Sequence, residues 1–203
     1  MPVLTIIAGP NGAGKSTHSK ELLSDFGIEA FDFDREFYAI WSEFNFDPYI
    51  EQGAFERAQK LCTERRAAAL DKKQNFAFEA NFHTQDVLPV VDMFRSKRYH
   101  IELIFICLES QSIAIERVKD RVAKGGHSVD EETIRKRFGA GLRMLDECFD
   151  KFDLVSIYLS KQNDVEGVAI LEPPRSKAIS VSRIPVSLVS QLPRLVQFVQ
   201  LNK

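Results

Sequence analysis

The stretch GPNGAGKST, Gly9 to Thr17, decides how this chain folds. Gly9, Gly14, Lys15 and Ser16 meet the spacing G-x-x-x-x-G-K-[ST]. The apolar run VLTIIA, Val3 to Ala8, precedes it and reads as a buried strand. A helix is expected to start inside the loop and run to about Leu23. In a strand, glycine loop and helix of this kind, backbone N–H groups wrap phosphates and the helix N-terminus adds its positive dipole. Gly9, Pro10, Asn11, Gly12, Ala13, Gly14, Lys15, Ser16 and Thr17 are therefore assigned to nucleotide binding. Lys15 is expected to reach the β- and γ-phosphates, Ser16 to ligate Mg²⁺ through its hydroxyl, and Thr17 to pack or hydrogen-bond at the helix start.

Such a loop opens both motor-type ATPases and small-molecule kinases. A transporter-type ATPase would also need a signature of the LSGGQ type and an apolar strand ending in Asp-Glu. IFICLES carries Glu109 without the preceding Asp, and the GGH of residues 125–127 is not that signature. The motor reading therefore lacks its second half.

Working outward, short apolar runs alternate with helical patterns. GIEAFDFD, Gly27 to Asp34, reads as a second strand ending in carboxylates, and NFAFEA, Asn75 to Ala80, as a third. HIELIFICL, His100 to Leu108, is the longest apolar run and a central strand. DLVSIYL, Asp153 to Leu159, is a fifth. Between them, residues 51–72 read as a helix with Phe55, Ala58, Cys62 and Ala69 on one face, and residues 84–97 as another. Ser112–Lys124 and Asp130–Cys148 read as two helices around the glycine pair. Five strands separated by helices imply an α/β fold with right-handed crossovers and a parallel sheet covered on both faces. After about residue 163 the pattern weakens. Pro173 and Pro174 mark a loop, AISVSRIPV suggests a short strand, and a last helix is expected after Pro193. No linker divides the chain. It reads as one domain over 1–203, with a core of about 1–162 and a C-terminal extension of about 163–203.

Composition narrows the function. The 203 residues carry a net charge of −2, without the basic excess that nucleic-acid binding calls for. With 44% apolar residues and sixteen Phe, the chain can bury an aromatic-rich core. Cys62, Cys107 and Cys148 form no disulfide framework and no metal-ligand spacing, and read as buried thiols in a reducing compartment. Residues 3–8 are too short for a signal peptide or a membrane span. The expectation is a cytoplasmic protein with no nucleic-acid or membrane partner.

Two groups of charged residues carry candidate chemistry. Asp32 and Asp34 close the expected second strand, two apart and so on one side of it, near the phosphates. Asp34 is assigned as the base that takes a proton from a substrate hydroxyl attacking the γ-phosphate. Asp32 is assigned to the substrate side and to ordering Mg²⁺ or its waters. The alternative for both is capping the next helix. Glu79, at the exit of the third strand, suits substrate hydroxyls or a metal-bound water. Asn81 suits the same ligand or, alternatively, a helix cap. Arg117 and Arg121 lie four apart on one helix face. Helix, glycine hinge, helix, with arginines on both arms, is how a lid over a triphosphate would be built. A solvated basic face is the alternative. His127 reads as a turn residue.

These stretches together resemble the zeta-toxin family of bacterial P-loop kinases, over roughly residues 3–160. The resemblance rests on GPNGAGKST, on FDFD, on FDP at Phe46–Pro48, on FAFEANF, and on RVAKGGHSVDEETIRKRF from Arg121 to Phe138. It implies a three-layer P-loop kinase fold with a helical lid. It also implies a phosphotransferase that uses ATP or GTP with Mg²⁺ on the sugar hydroxyl of UDP-N-acetylglucosamine, and an antitoxin partner. It places the phosphate lysine on Lys15, the base on Asp34, the substrate acid on Glu79 with Asn81 beside it, and the charge-stabilising lid arginines on Arg121 and Arg137. The acceptor pocket departs from the family pattern. Where close relatives read FETTLSG, this chain reads FEANFHT, and the expected YDNS is YLSK, Tyr158 to Lys161. A kinase of another hydroxyl acceptor, or a nucleotide-binding switch, are the competing readings.

Overall fold

The structure is a computed structural model and describes residues 1–126, 128–162, 164–182 and 184–202. A six-stranded sheet forms its centre, in the order β2-β1-β3-β4-β5-β6. Strands β1 (Val3–Ala8), β2 (Phe76–Ala80), β3 (His100–Cys107) and β4 (Leu154–Ser160) run parallel. Strands β5 (Val165–Glu172) and β6 (Lys177–Val181) add to the β4 edge antiparallel. The helices are α1 (Lys15–Leu22), α2 (Phe33–Ser42), α3 (Glu51–Lys72), α4 (Leu88–Ser96), α5 (Gln111–Ala123), α6 (Glu131–Cys148), α7 (Val186–Val189) and α8 (Pro193–Leu201). No helix among the described residues is long and apolar enough to cross a membrane.

The unbroken apolar runs sit where both faces of the sheet are covered. Leu4, Ile6, Ile7 and Ala8 of β1 and Ile101, Leu103, Phe105 and Ile106 of β3 are fully buried. Burial on both faces is why these strands read as continuous apolar segments rather than alternating ones. Register puts Ala8 opposite both Ala80 and Phe105, so the ends of β1, β2 and β3 lie level beneath the glycine loop.

The α/β class stands, with three corrections. Gly27–Asp34 is not a strand. Only Phe31 bridges to Phe78, through Phe31 N–H to Ala77 O at 2.8 Å and Glu79 N–H to Phe31 O at 2.9 Å. The chain then turns directly into α2, because Asp32 is its N-cap and accepts from Arg35 N–H at 3.1 Å. A short carboxylate at this position satisfies a free helix N–H, which an edge strand could not offer. Phe33, Phe37 and Ile40 repeat at helical spacing, and Phe37 and Ile40 bury against Ala54 and Ala58 of α3 in a small core separate from the main one. Asp32 and Asp34 are therefore not paired on one side of a strand: one caps α2 and the other stands in its first turn.

The second correction is β5, which sequence reading left as irregular chain. Gly167 and flanking acids dilute its apolar signal, yet Val168, Ala169 and Leu171 are buried. The sheet thus has four parallel strands and two antiparallel ones, not five parallel. The third concerns α3, whose range matches its expectation. Its buried positions are Ala54, Ala58 and Ala69, whereas Phe55 stays 37% exposed, with its ring edge-on to Phe33.

Candidate functional site

The glycine loop climbs from β1 and turns back into α1. Gly9 has φ 149°, and a Cβ there would collide with the carbonyl of Ile106 on the neighbouring strand, so only glycine fits. Gly14 precedes α1 in a left-handed conformation. The loop floors a cavity of about 680 Å³, within the ordinary range for small-ligand sites.

Lys15, Ser16, Asp32, Asp34, Glu79, Asn81 and Arg121 all line this cavity. They come from the loop, α2, the end of β2 and α5. Lys15 Nζ donates to Gly9 O at 2.9 Å, Pro10 O at 3.3 Å and Asn81 Oδ1 at 3.1 Å. Lys15 is half-buried as a residue, and its ammonium is the enclosed end. Burial pulls its pKa down to about 8, against the opposing pull of Glu79, Asp34 and Asp32.

Ser16 Oγ lies 2.8 Å from Asp32 Oδ2 and 2.8 Å from Glu79 Oε2. A hydroxyl has one proton and can donate to only one of two ionised carboxylates. Burial raises the Glu79 carboxyl above the usual range, and the nearby Asp32 charge raises it further, while the Ser16 hydrogen bond and Lys15 oppose this. The donor set is all oxygen, hard, and rich in negative charge, which fits Mg²⁺ held by one or two carboxylates together with phosphate oxygens. Among the described residues no cluster of three or more His, Cys, Asp or Glu could hold a metal without such help. Asn11 also lines the cavity, and its buried Oδ1 has no hydrogen-bond partner among the described residues.

α5 and the glycine pair after it contribute Arg117, Asp120, Arg121, Lys124 and Gly126 to the far wall. Gly125 takes φ 85°, and Gly126 packs so closely on Arg121 that a Cβ would come within 3.0 Å of the Arg121 carbonyl oxygen. Asp130 caps α6 by accepting from Thr133 N–H at 2.8 Å. Lys119 of α5 pairs with Glu131 of α6 at 2.6 Å across the two arms, and Arg135 pairs with the same Glu131 at 3.6 Å within α6. Both pairs are solvent-exposed, so they hold the lid only weakly. Arg121 stands on the cavity wall, whereas Arg137 does not. The His83 imidazole is held down by burial and then by the Arg137 charge, which places Arg137 beside the turn that follows β2. His127 lies outside the described residues.

Arg117 has a task that helix spacing alone could not reveal. It donates to Ser160 Oγ at 2.7 Å, to Lys161 O at 2.7 Å and to Gly12 O at 3.3 Å. It thereby ties the base of α5 to the glycine loop and to the end of β4.

Several solved structures share this architecture. A protein of the PezAT chromosomal toxin–antitoxin system of Streptococcus pneumoniae superposes with TM-score 0.63 at 16% identity, over 98% of this chain and 87% of that one. AvrRxo1-ORF1:ORF2, solved with ATP, gives TM-score 0.68 at 11% identity over 95% of this chain, which spans 63% of the length of that one. A candidate kinase from Chloroflexus aurantiacus gives 0.53 at 22% identity, over 67% of this chain and 76% of that one. At these identities the likeness speaks for the fold. No curated protein matches the chain significantly in sequence. The family comparison is decisive where these are not: residues 1–168, from β1 through the lid and into β5, match the zeta toxin family, and the chain belongs to it.

Proposed function

We propose that the protein is a nucleotide-dependent kinase that phosphorylates a hydroxyl of a small molecule, with a sugar nucleotide such as UDP-N-acetylglucosamine as the acceptor. The observation that carries this is the meeting, in one cavity, of Lys15 and Ser16 with Asp32, Asp34, Glu79 and Arg121. A switch that only hydrolyses or binds nucleotide needs no acceptor base, and Asp34 stands exposed in the first turn of α2 on the cavity wall.

In the proposed reaction ATP or GTP lies along the glycine loop. The acceptor oxygen attacks the γ-phosphorus, the bond from that phosphorus to the β-bridging oxygen breaks, and the nucleoside diphosphate leaves. The acceptor proton passes to Asp34. Lys15 exchanges its loop carbonyls and Asn81 for phosphate oxygens. Ser16, with Asp32 and Glu79 close by, would hold Mg²⁺, which when bound supplies positive charge at the β- and γ-phosphate oxygens. Glu79 and Asn81 face the acceptor. Arg121 and, on lid closure, Arg137 neutralise charge on the transferring group.

Ala80, Asn81, His83 and Thr84 differ from the family pattern expected around the acceptor, which keeps another hydroxyl acceptor, a nucleoside or simple sugar, as the alternative. An antitoxin partner is part of the proposal and is supported by the toxin–antitoxin system of the pneumococcal relative. The direct test is incubation with labelled ATP and a panel of sugar nucleotides, nucleosides and sugars, followed by mass detection of product. ATP turnover indifferent to every acceptor would favour the switch.

The lid arginine makes a separate prediction. Arg137 lies off the cavity wall in this arrangement, so it can contribute only when α6 moves in. Arg137→Ala is expected to slow transfer by about a hundredfold or more while ATP affinity barely changes, the pattern of a contact made in the transition state. Equal losses in affinity and rate would mean a ground-state contact.

A further inference from the structure

Residues 41–50 carry the FDP stretch and a cluster of exposed rings that phosphoryl transfer does not use. Phe44, Phe46 and Tyr49 are 46%, 51% and 94% exposed. Asn45 and Phe46 both adopt left-handed backbone, φ 53° and 58°, which is uncommon for a bulky residue. Yet this loop is tied to one residue, through both its backbone and its side chain. Trp41 Nε1 donates to Asp47 O at 2.8 Å, and the amides of Phe44 and Phe46 donate to Trp41 O at 3.1 and 3.2 Å. The indole is stacked on Phe37 with centroids 5.5 Å apart and rings 23° from parallel, and Phe46 meets it edge-on at 5.5 Å and 81°. The loop fixes the orientation of Trp41, which remains only half-buried.

Helix register says where that indole lies. Asp34, Tyr38 and Trp41 stand at i, i+4 and i+7 of α2, on one face of the helix. At 1.5 Å per residue, Tyr38 is about 6 Å and Trp41 about 10 Å along the axis from Asp34. The Tyr38 ring sits 6.2 Å from the Trp41 ring. Its phenol is pushed up by burial and then by the Asp34 charge, with Arg121 opposing; Asp34 and Arg121 line the cavity, and Tyr38 and Trp41 stand outside that lining, further along the same helix face. The face that delivers the base to the cavity therefore continues outward as two rings.

We propose that Tyr38 and Trp41 form a stacking platform for the acceptor, which carries a planar base ring about 10 Å from the hydroxyl that is phosphorylated. The FDP loop is the device that holds the platform in place. This rests on the kinase reading above, and it specifies that reading further: a free sugar, lacking the ring, is a poor acceptor.

Trp41 is the single tryptophan of the chain, so its fluorescence reports on the platform alone. With the glycine loop saturated by a non-hydrolysable ATP analogue, uridine, cytidine and guanosine diphosphates and free N-acetylglucosamine are titrated separately. At least one diphosphate is expected to shift or quench the emission, and the sugar is not. Trp41→Ala is expected to raise KM for the best base-bearing acceptor about tenfold, the scale of one stacking contact, with kcat and the KM for ATP unchanged. Trp41→Phe should recover most of the loss, which a variant that merely misfolded would not allow. The platform is overturned if no diphosphate moves the emission while ATP binding is intact, or if Trp41→Ala turns over the acceptor with normal KM. Failure of the kinase reading looks different: no acceptor is phosphorylated, whether or not Trp41 responds.

Discussion

Lys15→Ala is expected to abolish measurable phosphoryl transfer while leaving the fold intact. In the proposed reaction the ammonium is the fixed cation at the β- and γ-phosphates, and loss of a preorganised charge of this kind typically costs about a hundred- to a thousandfold in rate. The fold should survive because the lysine is a burden on it. Its pKa of about 8 in the folded state lies below the ordinary 10.5, so burial of the charge costs stability at neutral pH. The cost is fully present below about 8. It is relieved as pH rises from about 8 towards 10.5, where the unfolded chain holds a proton that the folded one has released. The same depressed value predicts how ATP binding depends on pH. Phosphate favours the charged ammonium, so affinity should be flat with respect to this group below about pH 8 and fall as pH rises above it. Calorimetric titration between pH 7 and 9.5 measures this slope, and the Lys15→Ala protein should lack it. Near-normal turnover in Lys15→Ala would remove the glycine loop from the reaction.

How far the sequence discloses such a site depends on how local its determinants are. The glycine loop is wholly local: spacing, preceding strand and following helix lie within twenty residues, and Lys15 and Ser16 are found where the motif puts them. β1 and β3 are legible because strands buried on both faces leave long apolar runs. Asp32 and Asp34 do line the cavity beside the glycine loop, but not in the expected geometry. FDFD alternates like a strand, and only the cap to Arg35 and the packing of Phe37 and Ile40 on α3 turn it into a helix start. That contest is settled by tertiary contacts some twenty residues away. β5 was lost because it is near the sheet edge, where half-burial and Gly167 blur periodicity. Arg117 shows the limit most plainly. Its partners, Gly12, Ser160 and Lys161, are distant in sequence, so nothing local separates it from Arg121 one turn later.

Asp34→Asn separates a kinase from a nucleotide switch. The change keeps the shape of the side chain and removes its capacity to take a proton. Asp34 is solvent-exposed in the first turn of α2, while the cap itself belongs to Asp32, so the helix should not suffer beyond the few tenths of a kcal/mol that a first-turn charge contributes. ATP should still bind, since Lys15 and the loop amides are untouched. Phosphorylation of the acceptor should fall by about a hundredfold or more, the usual scale for a positioned base. Mg²⁺ titration should be nearly unchanged, because the oxygens that converge on Ser16 are those of Asp32 and Glu79, each at 2.8 Å, and not those of Asp34. Ser16→Ala should show the reverse, a loss of metal affinity with the base in place. The two variants thus separate the proposed base, Asp34, from the oxygens gathered at Ser16. A large loss of Mg²⁺ affinity in Asp34→Asn would move Asp34 into the metal's surroundings and leave the proton without an acceptor. Full activity in Asp34→Asn would mean that the hydroxyl loses its proton elsewhere, with Glu79, already raised by burial, as the next group within the same cavity to test.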